Sequence, residues 1–298
     1  DRLGHGLPAR ILLKLEYFSP GFSIKDRIAL RIIEDAERLG VLKPGGIVVE
    51  LTSGNTGTGL AVVCAVKGYH LVAVMSEGNS VERRRMLRAL GARVEIVEQA
   101  PGSVAGQVSR EDLDLVEQRT AEIVRELGAF RADQFNNPSN VAAHEHTTGV
   151  EIWEQTGGDV DIFVGTIGTA GTFMGIARAL KNRRPTILAY AVEPEKAPIL
   201  AGGEIRSTSH KIQGAGYALI PPLWDPSFCD GFYGVSDDEA ISVARRLARD
   251  EGVFAGFSTG ANVAAALQLA EIAIRGATIV TTANDSGLKY LSTDLFPD

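Results

Sequence analysis

Only two cysteines, Cys64 and Cys229, occur in 298 residues. That excludes a disulfide framework and suits a reducing compartment, so a cytoplasmic location is expected. Long hydrophobic runs are missing too. The longest, Leu60 to Val66, ends at Lys67 and falls far short of the ~20 apolar residues a bilayer span needs. Basic charge is in short supply: 30 Lys+Arg face 37 Asp+Glu, a net of −7. Neither nucleic acid nor an anionic membrane is therefore expected as a main partner. There is no internal repeat, no low-complexity segment and no Ser/His/Asp set placed for nucleophilic catalysis. No leader peptide is read, and an opening at Asp1 rather than Met leads us to expect preceding residues. Glycine, by contrast, is plentiful. The 33 glycines are about half again the usual share of roughly 7%. With 45% hydrophobic and 22% charged residues, the chain reads as globular, with one large domain or two modest ones.

Short apolar runs alternate with helical periodicity. Strands are expected at 11–16, 47–51, 71–75 and 93–97, and again at 162–164, 187–192 and 278–282. Helices are expected from about Ser23 to Gly40, and at 58–67, 81–90, 111–127, 173–180, 237–250 and 260–270. Residues 99–107 read as a polar connection, and 193–233 as a long irregular stretch. Buried strands alternating with helices imply βαβ units on parallel sheets. The expected class is α/β with two lobes, each a mostly parallel twisted sheet covered by helices. Ligands in such folds sit at the carboxyl ends of strands, here in a cleft between the lobes.

Four segments fall at such strand or helix ends. In Pro20-Gly-Phe-Ser-Ile-Lys25-Asp-Arg27, Lys25 lies in a first helical turn. The positive end of the helix dipole favours a neutral amine there, a better nucleophile toward a carbonyl. On position alone, a solvated lysine paired with Asp26 or another acidic neighbour is the favoured reading. Leu51-Thr-Ser-Gly-Asn-Thr-Gly57 joins a buried strand to a helix, a geometry that binds anions through backbone N–H groups. No Lys follows the glycine, so it is not a P-loop; an ordinary capped turn is the alternative. Gly165-Thr-Ile-Gly-Thr-Ala-Gly-Thr172 repeats that placement. Three glycines and three threonines in eight residues suit a phosphate held without a cation. Ala255-Gly-Phe-Ser258-Thr-Gly-Ala261 opens a helix, and alone it could be simple capping. His144-Glu145-His146 reads as structural, because helical residues two apart face different ways; no metal is expected.

Taken together and in this order, the four segments resemble the pyridoxal-phosphate enzymes of the tryptophan-synthase-β fold type (fold type II). The likeness is to the cysteine synthase (O-acetylserine sulfhydrylase) and cystathionine β-synthase family. It extends through LKLEYFSPGFSIKDRIA (13–29), ELTSGNTGTGLA (50–61), SVERRRMLRALGA (80–92), DQFNNPSN (133–140), HEHTTGVEIW (144–153), VEPEKAPIL (192–200), HKIQGAG (210–216) and KYLST (289–293). The resemblance implies pyridoxal 5′-phosphate as cofactor. It also implies a smaller lobe, 19–139, bearing the substrate-carboxylate loop. The larger lobe would be 1–18 plus 140–298, with the phosphate loop and the pyridine-nitrogen site.

Roles follow by position. Lys25 matches the Schiff-base lysine, and Asn55 the residue bonding the cofactor's 3′-oxygen. Gly168, Thr169, Ala170, Gly171 and Thr172 match the phosphate cradle, and Ser258 the pyridine-nitrogen partner. Thr52, Ser53, Gly54 and Thr56, with Gln134, match the binders of the substrate carboxylate; Gly214 and Gly216 match a loop at the substrate entrance. A serine hydroxyl at the pyridine nitrogen does not hold a proton there, which weakens the electron sink and favours β-elimination over transamination. The implied reaction is β-replacement on an activated serine through an α-aminoacrylate. L-cysteine synthesis from O-acetyl-L-serine and sulfide leads, with Lys25 moving the Cα proton.

Departures from the family pattern bear on specificity: Leu51 for Pro, Gly21-Phe22 for Gly-Gly, Val141 for Pro and Ser76 for Pro. The N-terminal GNTPLV strand is not in this chain. Alternatives are a cystathionine β-synthase-like or specialised β-substituted-alanine synthase. A non-enzymatic alternative is a scaffold binding the tail of serine acetyltransferase. Family likeness also implies a homodimer.

Overall fold

In a computed structural model, residues 2–52, 54–103, 108, 110–217 and 219–296 are described. The strands are β1 (Arg10–Leu15), β2 (Ile47–Leu51), β3 (His70–Ser76), β4 (Arg93–Val97), β5 (Phe130–Arg131), β6 (Ile162–Thr166), β7 (Leu188–Pro194), β8 (Gly231–Val235) and β9 (Thr278–Ala283). The helices are α1 (Lys25–Arg38), α2 (Asn55–Lys67), α3 (Val81–Ala89), α4 (Arg110–Leu127), α5 (Ser139–Ala143), α6 (Gly149–Gln155), α7 (Gly171–Arg183), α8 (Asp237–Glu251) and α9 (Phe257–Ile272). A π-helical turn, His144–Thr148, joins α5 to α6. The chain divides into two compact units, Ser19–Ser139 and Asp1–Phe18 with Asn140–Asp298.

The smaller unit holds a parallel sheet in the order β4-β3-β2-β5. Val49, Val72 and Val74 from the sheet pack with Val116 and Ile123 of α4. α1 buries Ile28, Ala29, Ile32, Ile33 and Ala36 along one stripe, as its period requires. α2 is apolar nearly all round, and that is how a helix buried on several sides should read. The two helices approach so closely that a Cβ on Gly59 would lie 3.0 Å from the Lys25 carbonyl oxygen and 3.1 Å from Asp26 Cα. Only a glycine at that point lets the first turn of α1 rest on α2.

The larger unit holds a second parallel sheet, β1-β9-β6-β7-β8. Every residue of β9 is buried, which explains its uninterrupted apolar and threonine run. Ile162, Val164 and Val192 of the sheet pack with Leu247 of α8 and Leu269 of α9. Phe163, Phe173 and Met174 fill a second core with Ile176 and Leu180 of α7.

Five elements differ from expectation in instructive ways. α2, α7 and α9 begin at Asn55, Gly171 and Phe257, two or three residues earlier than read, so the Gly/Thr/Ser residues taken as turns form the first helical turns. First-turn amides have no intrahelical acceptor, so residues with weak helix propensity are tolerated there. α1 starts at Lys25 with Ile24 as cap residue, although the Ser23 hydroxyl still accepts from the Lys25 amide at 3.3 Å. β8 straddles the end of the stretch read as irregular. It is an edge strand with alternating exposure, so it shows no continuous apolar run. The polar connection at 99–107 falls partly outside the described residues.

Candidate functional site

Within the smaller unit, three chain segments converge after β2. The Thr52 hydroxyl oxygen accepts from the Gly57 amide at 2.9 Å and from the Gly54 amide at 3.4 Å. It therefore folds the Thr-Ser-Gly-Asn-Thr turn back onto the first turn of α2. A Cβ on Gly57 would lie 2.7 Å from the Thr52 methyl, so this closure needs glycine. Asn55 is the first residue of α2, at the positive end of its dipole, with Gly54 as cap. The Thr56 hydroxyl donates to Gln134 Oε1 at 2.6 Å and so draws the 132–134 segment to the turn. Ser53 lies outside the described residues.

One residue of this cluster carried no role in the sequence. Glu50 is buried at the end of β2; its carboxylate accepts from the amides of Asp133 at 2.6 Å and Gln134 at 3.4 Å. Burial pushes its pKa up to about 8, against the pull of those two amides and of Arg131. Asp133 itself is held in the left-handed region at φ +49°. Glu50 thus fixes the backbone that presents Gln134.

The larger unit carries the second group. β6 ends at Thr166 and α7 starts at Gly171, with Ala170 between them at φ +68°. Among the described residues, the amides of Gly168, Thr169 and Ala170 donate to no backbone carbonyl. The opening amides of α7 extend this row, and only Met174 turns back to the Ala170 carbonyl at 2.9 Å. Neither glycine could carry a side chain. A Cβ on Gly168 would strike the Gly214 carbonyl, and one on Gly171 would strike the Asn140 amide. Asn140 Nδ2 donates to the Thr169 hydroxyl at 2.8 Å, and the Thr172 hydroxyl pairs with His144 Nε2 at 3.1 Å. Contiguous N–H donors, oriented hydroxyls and no Cβ at the two tightest points form a cradle that fits a phosphate dianion without a cation. His144 is fully buried, whereas His146 is exposed. Neither Asn140 nor His144 was marked from the sequence as touching the phosphate segment.

Gly214 and Gly216 adopt φ +84° and +65° in the loop beside this cradle. The Gly216 amide donates to the Ile167 carbonyl at 2.9 Å, and its carbonyl pairs with His210 Nε2 at 2.8 Å. Ser258, in the first turn of α9, is also buried. Its hydroxyl oxygen accepts from Asn284 Nδ2 at 3.1 Å, and the same Nδ2 reaches the Thr166 hydroxyl at 3.3 Å. Asn284 thus links Ser258 to the end of β6, where the phosphate segment starts. Each unit therefore assembles its own share of the predicted residues: Lys25, Thr52, Gly54, Asn55, Thr56 and Gln134 in one, Gly168–Thr172, Gly214, Gly216 and Ser258 in the other.

Relatives agree with this chemistry. Residues 1–285 match the family model described as "Pyridoxal-phosphate dependent enzyme". The Escherichia coli (strain K12) protein named cysteine synthase A is 45% identical over 307 aligned positions, covering 100% of this chain and 91% of that protein. Among solved structures, O-ureido-L-serine synthase superposes with a TM-score of 0.87 at 41% identity, covering 96% of this chain and 87% of the other. O-acetyl serine sulfhydrylase isoform 3 from Entamoeba histolytica gives 0.89 at 37%, covering 97% and 83%. A family match across nearly the whole sequence, together with a 45% identical relative aligned to all of it, establishes that the chain belongs to the pyridoxal-phosphate dependent enzymes.

Proposed function

We propose that this enzyme performs β-replacement on an activated serine, making L-cysteine from O-acetyl-L-serine and sulfide. What supports it most is the 168–170 loop, whose amides donate to no backbone carbonyl among the described residues, together with the buried Ser258 hydroxyl that the family resemblance assigns to the pyridine nitrogen. Bound pyridoxal phosphate supplies an electrophilic carbon for the substrate amine and a ring that accepts electron density from Cα. The smaller unit, 19–139, contributes the lysine and the substrate groups. Thr52, Ser53, Gly54, Thr56 and Gln134 bind and orient the α-carboxylate, and Asn55 bonds the cofactor's 3′-oxygen. Lys25 would hold the bound cofactor at its aldehyde and, with its amine free, would take the Cα proton and later return it. The larger unit, 1–18 with 140–298, anchors the phosphate at Gly168–Thr172 and meets the ring nitrogen with Ser258; Gly214 and Gly216 line the substrate entrance.

The chemistry balances without an oxidant. The Cβ–O bond breaks with departure of acetate, a Cβ–S bond forms with hydrosulfide, and one proton leaves Cα and comes back. A nucleophile other than sulfide is the second reading, favoured by the likeness to a solved O-ureido-L-serine synthase. The same family reading extends to a homodimer in the cytoplasm and to capture of the C-terminal tail of serine acetyltransferase.

The test offers the protein, loaded with pyridoxal phosphate, O-acetylserine, serine and phosphoserine, each with and without sulfide. Cysteine formation from O-acetylserine and sulfide is expected, along with a visible absorption band that Lys25→Ala removes. A wild-type protein that stays colourless after reconstitution would sink the proposal.

A further inference from the structure

The hydrogen bonds behind Ser258 run in one direction, and backbone groups set that direction. Asn262 is fully buried; its Oδ1 accepts from the Thr166 amide at 2.7 Å and its Nδ2 donates to the Thr282 carbonyl at 2.9 Å. A backbone N–H can only donate and a backbone carbonyl can only accept, so the Asn262 amide has a single orientation. The same Nδ2 reaches the Thr282 hydroxyl oxygen at 3.3 Å. Thr282 is buried, and among the described residues its hydroxyl proton finds an acceptor in Asn284 Oδ1 at 2.7 Å. Asn284 must then present Nδ2, a pure donor, to Ser258 and Thr166. Its own amide is pinned to the Thr259 hydroxyl at 3.0 Å, next to Ser258 in the first turn of α9.

With Asn284 donating into its oxygen, the Ser258 proton has to point away from Asn284. We infer that Asn284, oriented through Thr282 and Asn262, is a positioning residue that fixes Ser258 as a hydrogen-bond donor toward the cofactor ring. The inference rests on the assignment of Ser258 to the pyridine nitrogen. A donor hydroxyl bonds an unprotonated ring nitrogen, whereas an acceptor hydroxyl would bond a protonated one. The polarity of this relay therefore decides how strong an electron sink the ring becomes, and it is set some four side chains away by the backbone amide of Thr166.

The experiment reads the ring nitrogen directly, by nuclear magnetic resonance on protein loaded with pyridoxal phosphate labelled with nitrogen-15 in the ring. In the wild type the resonance should lie at the unprotonated position. Asn284→Asp places an acceptor where the donor stood, so Ser258 should turn its proton to it and accept from the ring. The resonance should then move to the pyridinium position. If Asn284→Asp does not fold, Thr282→Val serves instead: it removes the proton that orients the Asn284 amide, and a shifted or second ring-nitrogen signal is expected. A folded variant whose resonance stays at the wild-type position overturns the inference. Ser258→Ala separates the two levels. A wild-type resonance that Ser258→Ala leaves in place shows that the ring nitrogen lies elsewhere and removes the underlying assignment.

Discussion

Glu50→Gln should remove the share of the pH dependence of stability that Glu50 carries. Glu50 carries a pKa of about 8 in the folded protein, raised by burial from an ordinary 4.5. Between those values the folded state binds a proton that the unfolded state lacks, so stability is greatest below pH 4.5 and falls as pH rises through 8. The slope is about 1.36 kcal/mol per pH unit, and the whole window is worth roughly 5 kcal/mol. Glutamine cannot ionise, so the variant loses this slope. It keeps a carbonyl for the Asp133 amide but sets an NH2 against the Gln134 amide, an offset of about 1 kcal/mol. The variant is therefore expected to be less stable than wild type at pH 4, about equal to it near pH 5 and more stable at pH 9. Urea titrations of both proteins at fixed cofactor concentration, from pH 4 to 9, measure the difference. With an m-value of roughly 3 kcal/mol/M, the two midpoints should diverge by about 0.4 M per pH unit. Parallel curves that never cross would show that Glu50 is ionised throughout and refute the reasoning.

Other perturbations are more local. Gly171→Ala drives a Cβ into the Asn140 amide; it should weaken cofactor binding more than tenfold in an absorbance titration while circular dichroism stays native. Thr56→Val removes the hydroxyl that holds Gln134; KM for the amino-acid substrate should rise about fivefold to tenfold with a smaller change in kcat. Gly59→Ala presses on the backbone of Lys25 and Asp26, which cannot yield as a side-chain end could, so about 2 kcal/mol of stability should be lost in thermal or urea unfolding. Phe22→Gly relieves a non-glycine residue at φ +59° and should raise stability by up to about 1 kcal/mol in the same assays.

Much of the fold was legible because β2 and β4 are bounded in the sequence where the structure bounds them, and because helix stops such as Gly40 and Gly91 take positive φ. The 165–172 segment stood out for a local reason: its glycines and threonines crowd into eight residues, and Gly168 and Gly171 sit where contacts leave no room for a side chain. What could not be read is carried by pairs distant in sequence. Glu50 meets Asp133 across 83 positions, whereas the pairing of Thr56 with Gln134 was anticipated only through the family resemblance. Asn284 resembles any polar residue after a strand until its neighbours are known. Nor does the residue type at 140 reveal that its amide closes the space beside Gly171. Periodicity encodes burial, whereas these roles are encoded by register between segments.

Among the described residues, the non-glycine positions with left-handed backbone are Phe22, Asp133 and Ala170. One stands three residues before Lys25, one directly before Gln134, and one inside the phosphate segment. Each such conformation costs on the order of 1 kcal/mol or more. Selection for heat tolerance alone would thus be drawn to these three positions. Its first successes would alter the backbone before Lys25, before Gln134 and at Ala170, so, on the roles proposed above, a hardier protein obtained that way should also be a poorer catalyst.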